Sequence, residues 1–547
     1  VGRGDVALTV TEVRPRPAAA TTAPALVPPG WWFGAVPAAF LAVFLVWPVL
    51  TVLTQAWSAD GLEVLTAAST WQVVGFTVVQ ATLSTVLTLA VGLPAAYALH
   101  RLRVPGRPVA LALLTVPFVL PTVVVGAAFR ALLPDQLLGG LTSIVLAHVF
   151  FNVAVVVRVV GGLLAHLDPR YADAAASLGA GPWRVLRTVT WPLVRPAVLA
   201  AGALVFLFTF TSFGVVLILG GPTARTLEVE IYLRTVAFFD LPAAAVLAVL
   251  QLLAVALVLL VGARVQRRLD VAQRLAPRDL PRRGSSSTDR VLVGWTWALA
   301  VLMAAPIVAL VRDSLRVGDR WGWDWWSAAF SDGPRTRDVP ATEALLTTLS
   351  YAAVATVLAV LVGGAAACGL AYARRGHTLL DTAAMLPLGT SAVTLGFGLL
   401  VTFDVAPVDL RGSWILIPVA QALVAVPLVL RTVLPVLRAV DPRLREVAAT
   451  LGSPPTGVWR LVDLPVLGRA LAAAAGLAAA VSLGEFGATS FLARADSVTL
   501  PVLIGRLLSR PGEEGVGVAS ALSVLLVVVT AVVLLATERF RREESPW

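Results

Sequence analysis

Glu485 is the single acid in a run of apolar residues late in the chain, within Ser482-Leu483-Gly484-Glu485-Phe486-Gly487. An ionisable group inside hydrocarbon costs at least a few kcal/mol unless it is paired or wet, so it is a functional candidate wherever it occurs. One carboxylate with hydroxyls and aromatic rings nearby suits a cation, through charge and cation–π attraction for an organic ion or oxygen ligation for a metal. At an offset of 273 residues the earlier stretch Thr209-Phe210-Thr211-Ser212-Phe213-Gly214 sets Ser212 against Glu485 and Phe213 against Phe486. These four residues are the candidate cation contacts. The sequence fits a second placement equally, with Glu485 hydrated at the outer end of its span in a structural role.

The same offset governs a polar block. Asp168-Pro169-Arg170, Asp173-Ala174-Ala175, Gly179 and Pro192 return as Asp441-Pro442-Arg443, Glu446-Val447-Ala448, Gly452 and Pro465. Between residues 167–197 and 440–470 no gap is needed and 13 of 31 positions are identical, although the surroundings are generic apolar sequence. The chain is therefore two copies of one unit. In each copy the Asp-Pro turn caps a short helix with an acid in its first turn, where the helix dipole favours it. Glycine supplies the left-handed residue that ends the helix, and a second short segment runs to the proline. Such a polar block, kept in register inside an apolar chain, points to contact with something in water.

These residues must be positioned by membrane-spanning helices. Of 547 residues, 58% are hydrophobic and 14% charged, with mean hydropathy +0.86, too little polar surface for a soluble globule of this size. Twelve apolar runs approach or exceed the ~20 residues needed to cross ~30 Å of hydrocarbon. They lie at 34–56, 72–99, 109–129, 141–164, 196–219 and 241–262, then 291–311, 344–373, 379–402, 413–437, 471–492 and 517–537. The fold class is an all-α integral membrane protein of two six-helix repeats. An even number of spans per repeat makes the repeats parallel, about an axis along the membrane normal.

Charge sets the expected orientation. The net charge of +10 comes from arginine alone, because no lysine occurs. With both termini in the cytoplasm, 28 arginines fall in tails and inner loops, 12 in outer loops, and two, Arg158 and Arg431, within spans near their inner ends. Arginines so placed meet lipid headgroups rather than nucleic acid. The polar blocks, at 167–196 and 440–469, then face the cytoplasm. The expected organisation is a disordered cytoplasmic tail at 1–30, a first half at 31–263, a cytoplasmic linker at 264–290, a second half at 291–538 and a cytoplasmic tail at 539–547. Trp321, Trp323, Trp325 and Trp326 fall in the outer loop after the seventh span, where tryptophan meets the lipid interface.

Several functions are excluded. Without lysine no G-x-x-x-x-G-K-[ST] loop exists, so the chain is not itself a Walker-type ATPase. Its one cysteine, Cys368, allows no intramolecular disulfide or cysteine cluster, and His100, His148, His166 and His377 have no metal-ligand spacing. No metal site, catalytic triad, H-E-x-x-H or paired-carboxylate arrangement is present in the sequence, so no enzymatic role is expected.

The two blocks resemble the loop signature of permease subunits of binding-protein-dependent ABC importers: E-A-A, three residues, Gly, then a closing Leu-Pro or similar pair. The copies here depart from it by Asp173 for Glu in the first and Val447 for Ala in the second. The resemblance implies that Asp173, Ala174, Ala175, Gly179, Pro192, Glu446, Val447, Ala448, Gly452 and Pro465 couple to two ABC ATPase subunits, which would hold ATP and magnesium. No cofactor is expected on this chain. An extracytoplasmic solute-binding protein and membrane lipid are the other implied partners, in the plasma membrane of a prokaryote.

Fusion of both halves, with Leu219-Gly220-Gly221-Pro222, Thr226–Tyr232 and Glu485–Thr489, is similar to the ferric-iron and thiamine importers. Ser212, Phe213, Glu485 and Phe486 would line the pathway. A 12-span secondary transporter has the same parity of spans, but the 101–107 loop lacks the acid of that superfamily and paired coupling loops have no purpose there.

Overall fold

The computed structural model describes residues 32–57, 59–269, 286–331, 339–372, 377–404, 409–410, 412–510 and 512–543. The expected tail at 1–30, most of the linker and the last four residues lie outside them. The rest is almost wholly helical, as a chain in hydrocarbon must be when every backbone N–H and C=O has to be satisfied internally. Ten helices among the described residues are long and apolar enough to cross a membrane, and twelve spans result when each of two bent pairs counts as one.

The first half contributes spans Trp32–Ala56, Ala68–Arg101, Leu141–His166, Trp183–Phe210 and Leu241–Gln266, with the bent pair Arg107–Val119 and Thr122–Leu132 as its third. The second contributes Ser287–Leu315, Ala341–Tyr372, Leu416–Arg438, Pro455–Leu483 and Glu513–Thr537, with Leu380–Pro387 and Ala392–Thr402 as the equivalent bent pair. We refer to these as spans one to twelve in chain order.

Four of the expected runs are broken. Span three turns by 111° and span nine by 99°. Proline removes a backbone donor and clashes with the preceding turn, and Pro117 and Pro121 flank the first break while Pro387 precedes the second. At the second break Ser391 restarts the chain as a helix, its Oγ accepting the Thr394 N–H at 3.0 Å. The runs 196–219 and 471–492 are not single spans either. Span five ends at Phe210 and a separate helix, α1 (Gly214–Leu219), follows; span eleven ends at Leu483 before α3 (Gly487–Leu492).

Each half then adds a short helix that the sequence reading did not anticipate, α2 (Leu227–Val236) in the first half and α4 (Leu500–Leu508) in the second. Both are anchored alike. The Leu227 N–H donates to Thr77 Oγ1 of span two at 3.0 Å, and the Leu500 N–H donates to Thr348 Oγ1 of span eight at 2.7 Å. A buried helix start has orphan donors, and a threonine on a neighbouring span supplies an acceptor.

The halves are not separate bodies, because the first span of each packs on the other half as well as on its own. Span one packs on spans eight and nine of the second half, where Trp47 meets Phe403 edge-on with centroids 5.4 Å apart. Span seven packs on spans two and three of the first half. Its Trp295 Nε1 donates to the Val91 carbonyl at 3.1 Å and its Trp297 Nε1 to the Pro105 carbonyl at 3.0 Å. Spans two, four and five of the first half, and eight, ten and eleven of the second, form the matching inner packing units.

Candidate functional site

The two polar blocks fold into the same device at the same end of the bundle. In the first, Asp168 Oδ1 accepts the Arg170 N–H at 2.9 Å and starts α5 (Arg170–Ser177); in the second, Asp441 Oδ1 accepts the Arg443 N–H at 2.9 Å and starts α6 (Pro442–Thr450). Each helix ends at a left-handed glycine, Gly179 with φ +82° and Gly452 with φ +86°. The terminal bonds match too, Gly179 N–H to Ala176 O and Ala180 N–H to Ala175 O, against Gly452 N–H to Ala449 O and Ser453 N–H to Ala448 O. This is the double bond pattern of a glycine-terminated helix. A short turn then leads into span five or eleven, which carries Pro192 or Pro465 in its first part.

Neither α5 nor α6 has a buried residue. Asp173, Ala174, Glu446 and Val447 are exposed, while Ala175 and Ala448 turn partly inward. At the tip of each loop, just before the glycine, Leu178 and Leu451 are 89% and 81% exposed. The sequence reading passed over this pair, although both lie at the 273 offset. Exposed leucines at the same place on two protrusions are apolar contacts lacking a partner among the described residues.

The loops differ in how they are seated. Arg445 of α6 forms a two-pronged ion pair with Asp463 at the head of span eleven, Nη2 to Oδ1 at 2.7 Å and Nε to Oδ1 at 3.0 Å. Asp463 is fully buried, and the Arg445 guanidinium also lies 5.7 Å from the Tyr372 ring centroid. The carboxylate holds the guanidinium's pKa above its ordinary value, chiefly through that hydrogen bond. In the first loop the corresponding residues are Ala172 and Thr190, so this tie is missing there.

Between the halves, Phe213 stacks on its own repeat counterpart, Phe486, with centroids 5.4 Å apart and planes 24° from parallel. The pseudo-twofold axis therefore passes between these two rings. Tyr232 of α2 meets Phe213 edge-on at 5.2 Å and Phe491 of α3 at 5.4 Å, bringing four rings from both halves together. Phe213, Phe486 and Phe491 are all buried, so the axis is closed at this level. Close approach depends on Gly214 and Gly505, where an added Cβ would lie 3.0 Å and 2.9 Å from the Phe486 ring.

Ser212 and Glu485 flank the stack but have different partners. Ser212 Oγ bonds His148 Nε2 at 2.8 Å, and His148 Nδ1 reaches Ser84 Oγ at 3.2 Å, linking spans two and four to the turn between span five and α1. Glu485 is 7% exposed and caps α3, accepting the Ala488 and Thr489 N–H groups at 2.8 and 2.9 Å and the Thr489 hydroxyl. Four acceptor directions on this carboxylate are thus largely used by its own helix start.

The sequence reading missed another acid. Glu228 of α2 is fully buried; it accepts from the Gln251 side-chain amide of span six and, across the halves, from Ser391 Oγ–H at 2.9 Å. It lies outside the apolar runs, in the phrase Thr226–Tyr232, so a search for acids within spans does not find it.

At the opposite end from the loops, a cleft of about 680 Å³ opens where span seven crosses the first half, lined by Arg130, Asp135, Arg312, Asp313, Arg316 and Glu513 among others. Trp321 and Trp323 are exposed nearby in sequence, while Trp325 Nε1 donates to the Arg316 carbonyl at 2.7 Å. Arg158 and Arg431 are exposed on the bundle surface.

Parallel six-span repeats closing on an aromatic axis, with a matched pair of protruding loops at one end, define the permease class of binding-protein-dependent ABC importers, here with both halves on one chain. Residues 88–274 match the family model described as binding-protein-dependent transport system inner membrane component. It is 29% identical over 529 residues to the thiamine transport system permease protein ThiP of Salmonella typhimurium, covering 91% of this chain and 93% of that one. ThiP of Escherichia coli is 29% identical over 534 residues, 91% and 95% of the two chains. A probable ABC transporter permease protein of Sinorhizobium fredii, y4fN, is 24% identical over 574 residues, 94% and 97%. Permeases of this family work with an ATPase and a binding protein.

Proposed function

We propose that this permease imports thiamine. The observation that carries the reading is likeness over both halves to permeases whose names state thiamine transport, at 91–92% of this chain. The four-ring cluster on the axis suits a flat, cationic heteroaromatic better than a hydrated metal ion, since cation–π and stacking contacts are available there.

In this reading the α5 and α6 loops face the cytoplasm, each seating one ABC ATPase subunit, so that two ATPases with their ATP and magnesium serve one chain. Leu178 and Leu451 enter grooves on those subunits, Asp173 and Glu446 face them, and Gly179 and Gly452 set the turn. Both termini are cytoplasmic. The charged cleft by span seven then faces outward, towards the binding protein.

ATP closure draws the two loops together, and rigid spans five and eleven carry that motion to Phe213 and Phe486 at their far ends. The chain does no bond chemistry. It shifts between inward and outward openings as its partners stabilise one or the other.

The test is uptake of labelled thiamine and, separately, of chelated ferric iron, in cells lacking the protein and in cells with it restored. Restoration should rescue thiamine uptake alone. Rescue of iron alone, or of neither, makes the substrate assignment wrong.

A further inference from the structure

We propose that Glu228, rather than Glu485, is the carboxylate that meets the cationic substrate when the two halves part, and that the Ser391 contact keeps it covered until then. The proposal rests on the thiamine reading for the identity of the cation, and on the geometry of the closed axis for the residue.

The two acids differ in what holds them. Glu485 accepts from Ala488, Thr489 and the Thr489 hydroxyl, all within its own half and the first turn of one helix. Those bonds survive any rigid movement of the halves, so its oxygens stay committed. Glu228 is held differently: one partner, Gln251, belongs to its own half, and the other, Ser391, to the opposite half. Separation at this interface removes one of the two side-chain donors that Glu228 has among the described residues, and the fully buried carboxylate must then find a cation or water.

Its position is also suitable. Glu228 and Tyr232 are four residues apart on α2, one turn along the same helix face. That face carries Tyr232 to Phe213 and to Phe491 of the second half. An acid one turn from a cluster of four rings offers both halves of the recognition an aromatic cation needs, charge and π faces. Ser391 is itself the start of the second arm of span nine, where the 99° bend lies, so the cover sits on a break in the helix.

Only one side of the axis is built this way. At the 273 offset the counterpart of Glu228 is Pro501, and at the offset of 270 that pairs Pro117–Gly126 with Pro387–Gly396 the counterpart of Ser391 is Pro121, so the mirrored contact has no acid and no hydroxyl. A purely structural tie between halves would serve equally on both sides. A single carboxylate fits a single passing charge.

The experiment uses the whole importer, with its ATPase and binding protein, in proteoliposomes. Cys368 is buried and is the only cysteine in the sequence, so Glu228→Cys in a Cys368→Ala background gives one reporter thiol. Cationic methanethiosulfonate should modify this thiol when ATP turnover is trapped with vanadate and not in the resting state, and thiamine should protect it. Glu228→Gln retains the side chain's size and should lower thiamine uptake about ten-fold or more, the loss of one charge-assisted contact, while loaded binding protein still stimulates ATP hydrolysis.

Labelling in no state, or full uptake by Glu228→Gln, overturns the proposal. Labelling without thiamine protection, in a protein that does import thiamine, also overturns it. Trapped-state labelling in a protein that imports no thiamine leaves Glu228 as a pathway acid and removes the thiamine reading instead.

Discussion

Arg445→Ala should unseat the second polar loop and leave the first untouched. The substitution removes both prongs of the Arg445–Asp463 pair and leaves a carboxylate with no exposed surface in place. Breaking a buried ion pair from one side costs about 3–5 kcal/mol. Asp463 stands at the head of a span, where water can reach it once the guanidinium is gone, so about 3 kcal/mol is the working figure. At 1.4 kcal/mol per factor of ten, the unseated loop becomes about a hundred-fold more populated.

The assay is amide hydrogen exchange of the purified importer, comparing residues 442–450 with 170–177. Protection of the second helix should fall by about two orders of magnitude and that of the first should not change. If the loop seats the ATPase as proposed, thiamine moved per ATP hydrolysed should fall with it. Arg445→Ala with Asp463→Ala removes both charges and should recover much of the protection lost in the single variant, a coupling that a double-mutant cycle reads directly. Equal loss in both helices, or a double variant worse than Arg445→Ala, refutes the staple.

Gly179→Asp combined with Gly452→Asp should abolish uptake while the bundle stays folded; no atom lies within 4 Å of either added Cβ, so the cost is left-handed backbone strain of about 1–2 kcal/mol per site, confined to the loops. Uptake beside an unchanged elution profile checks it. Leu178→Asp and Leu451→Asp should each weaken co-purification of the ATPase by placing a charge where 89% and 81% exposed leucines stand. Gly505→Val should displace the Phe486 ring, 2.9 Å from the new Cβ, and depress uptake more than it lowers the melting temperature. Glu485→Ala should lower thermal stability by about 1–2 kcal/mol through loss of the α3 cap, measured by the melting temperature.

Much of the architecture was legible in the sequence, because lipid leaves a chain few choices. The twelve apolar runs, the repeat and the parity of spans follow from hydropathy and the 273 offset. The prolines at 117, 121 and 387 were visible within apolar runs, but hydropathy scores length and not continuity, so the bends passed unseen. Helices α2 and α4 lie in short mixed segments that no span-length window detects. Packing of spans one and seven on the opposite half leaves no signal, since every span presents the same Ala, Val and Leu to its neighbours. The polar loops could be read in detail because their bonds are local, Asp168 to Arg170 and Gly179 to Ala176. Glu228 and Arg445 could not, because their partners lie 163 and 18 residues away.

Packing of the first spans across the halves fixes the order in which the chain can mature. Span one is made before the rest of the described bundle, yet two of the spans it packs on, eight and nine, are made roughly three hundred residues later. It must wait in lipid with one side unmatched, while span seven arrives to find spans two and three already in place. Carrying both halves on one polypeptide makes that wait safe, because the missing surface is tethered and always of the right kind. Two free halves could meet in three combinations, and only the mixed one would bring Glu228 to Ser391. The fused chain admits no other pairing within itself, so the one-sided Glu228–Ser391 contact is inherited as a unit.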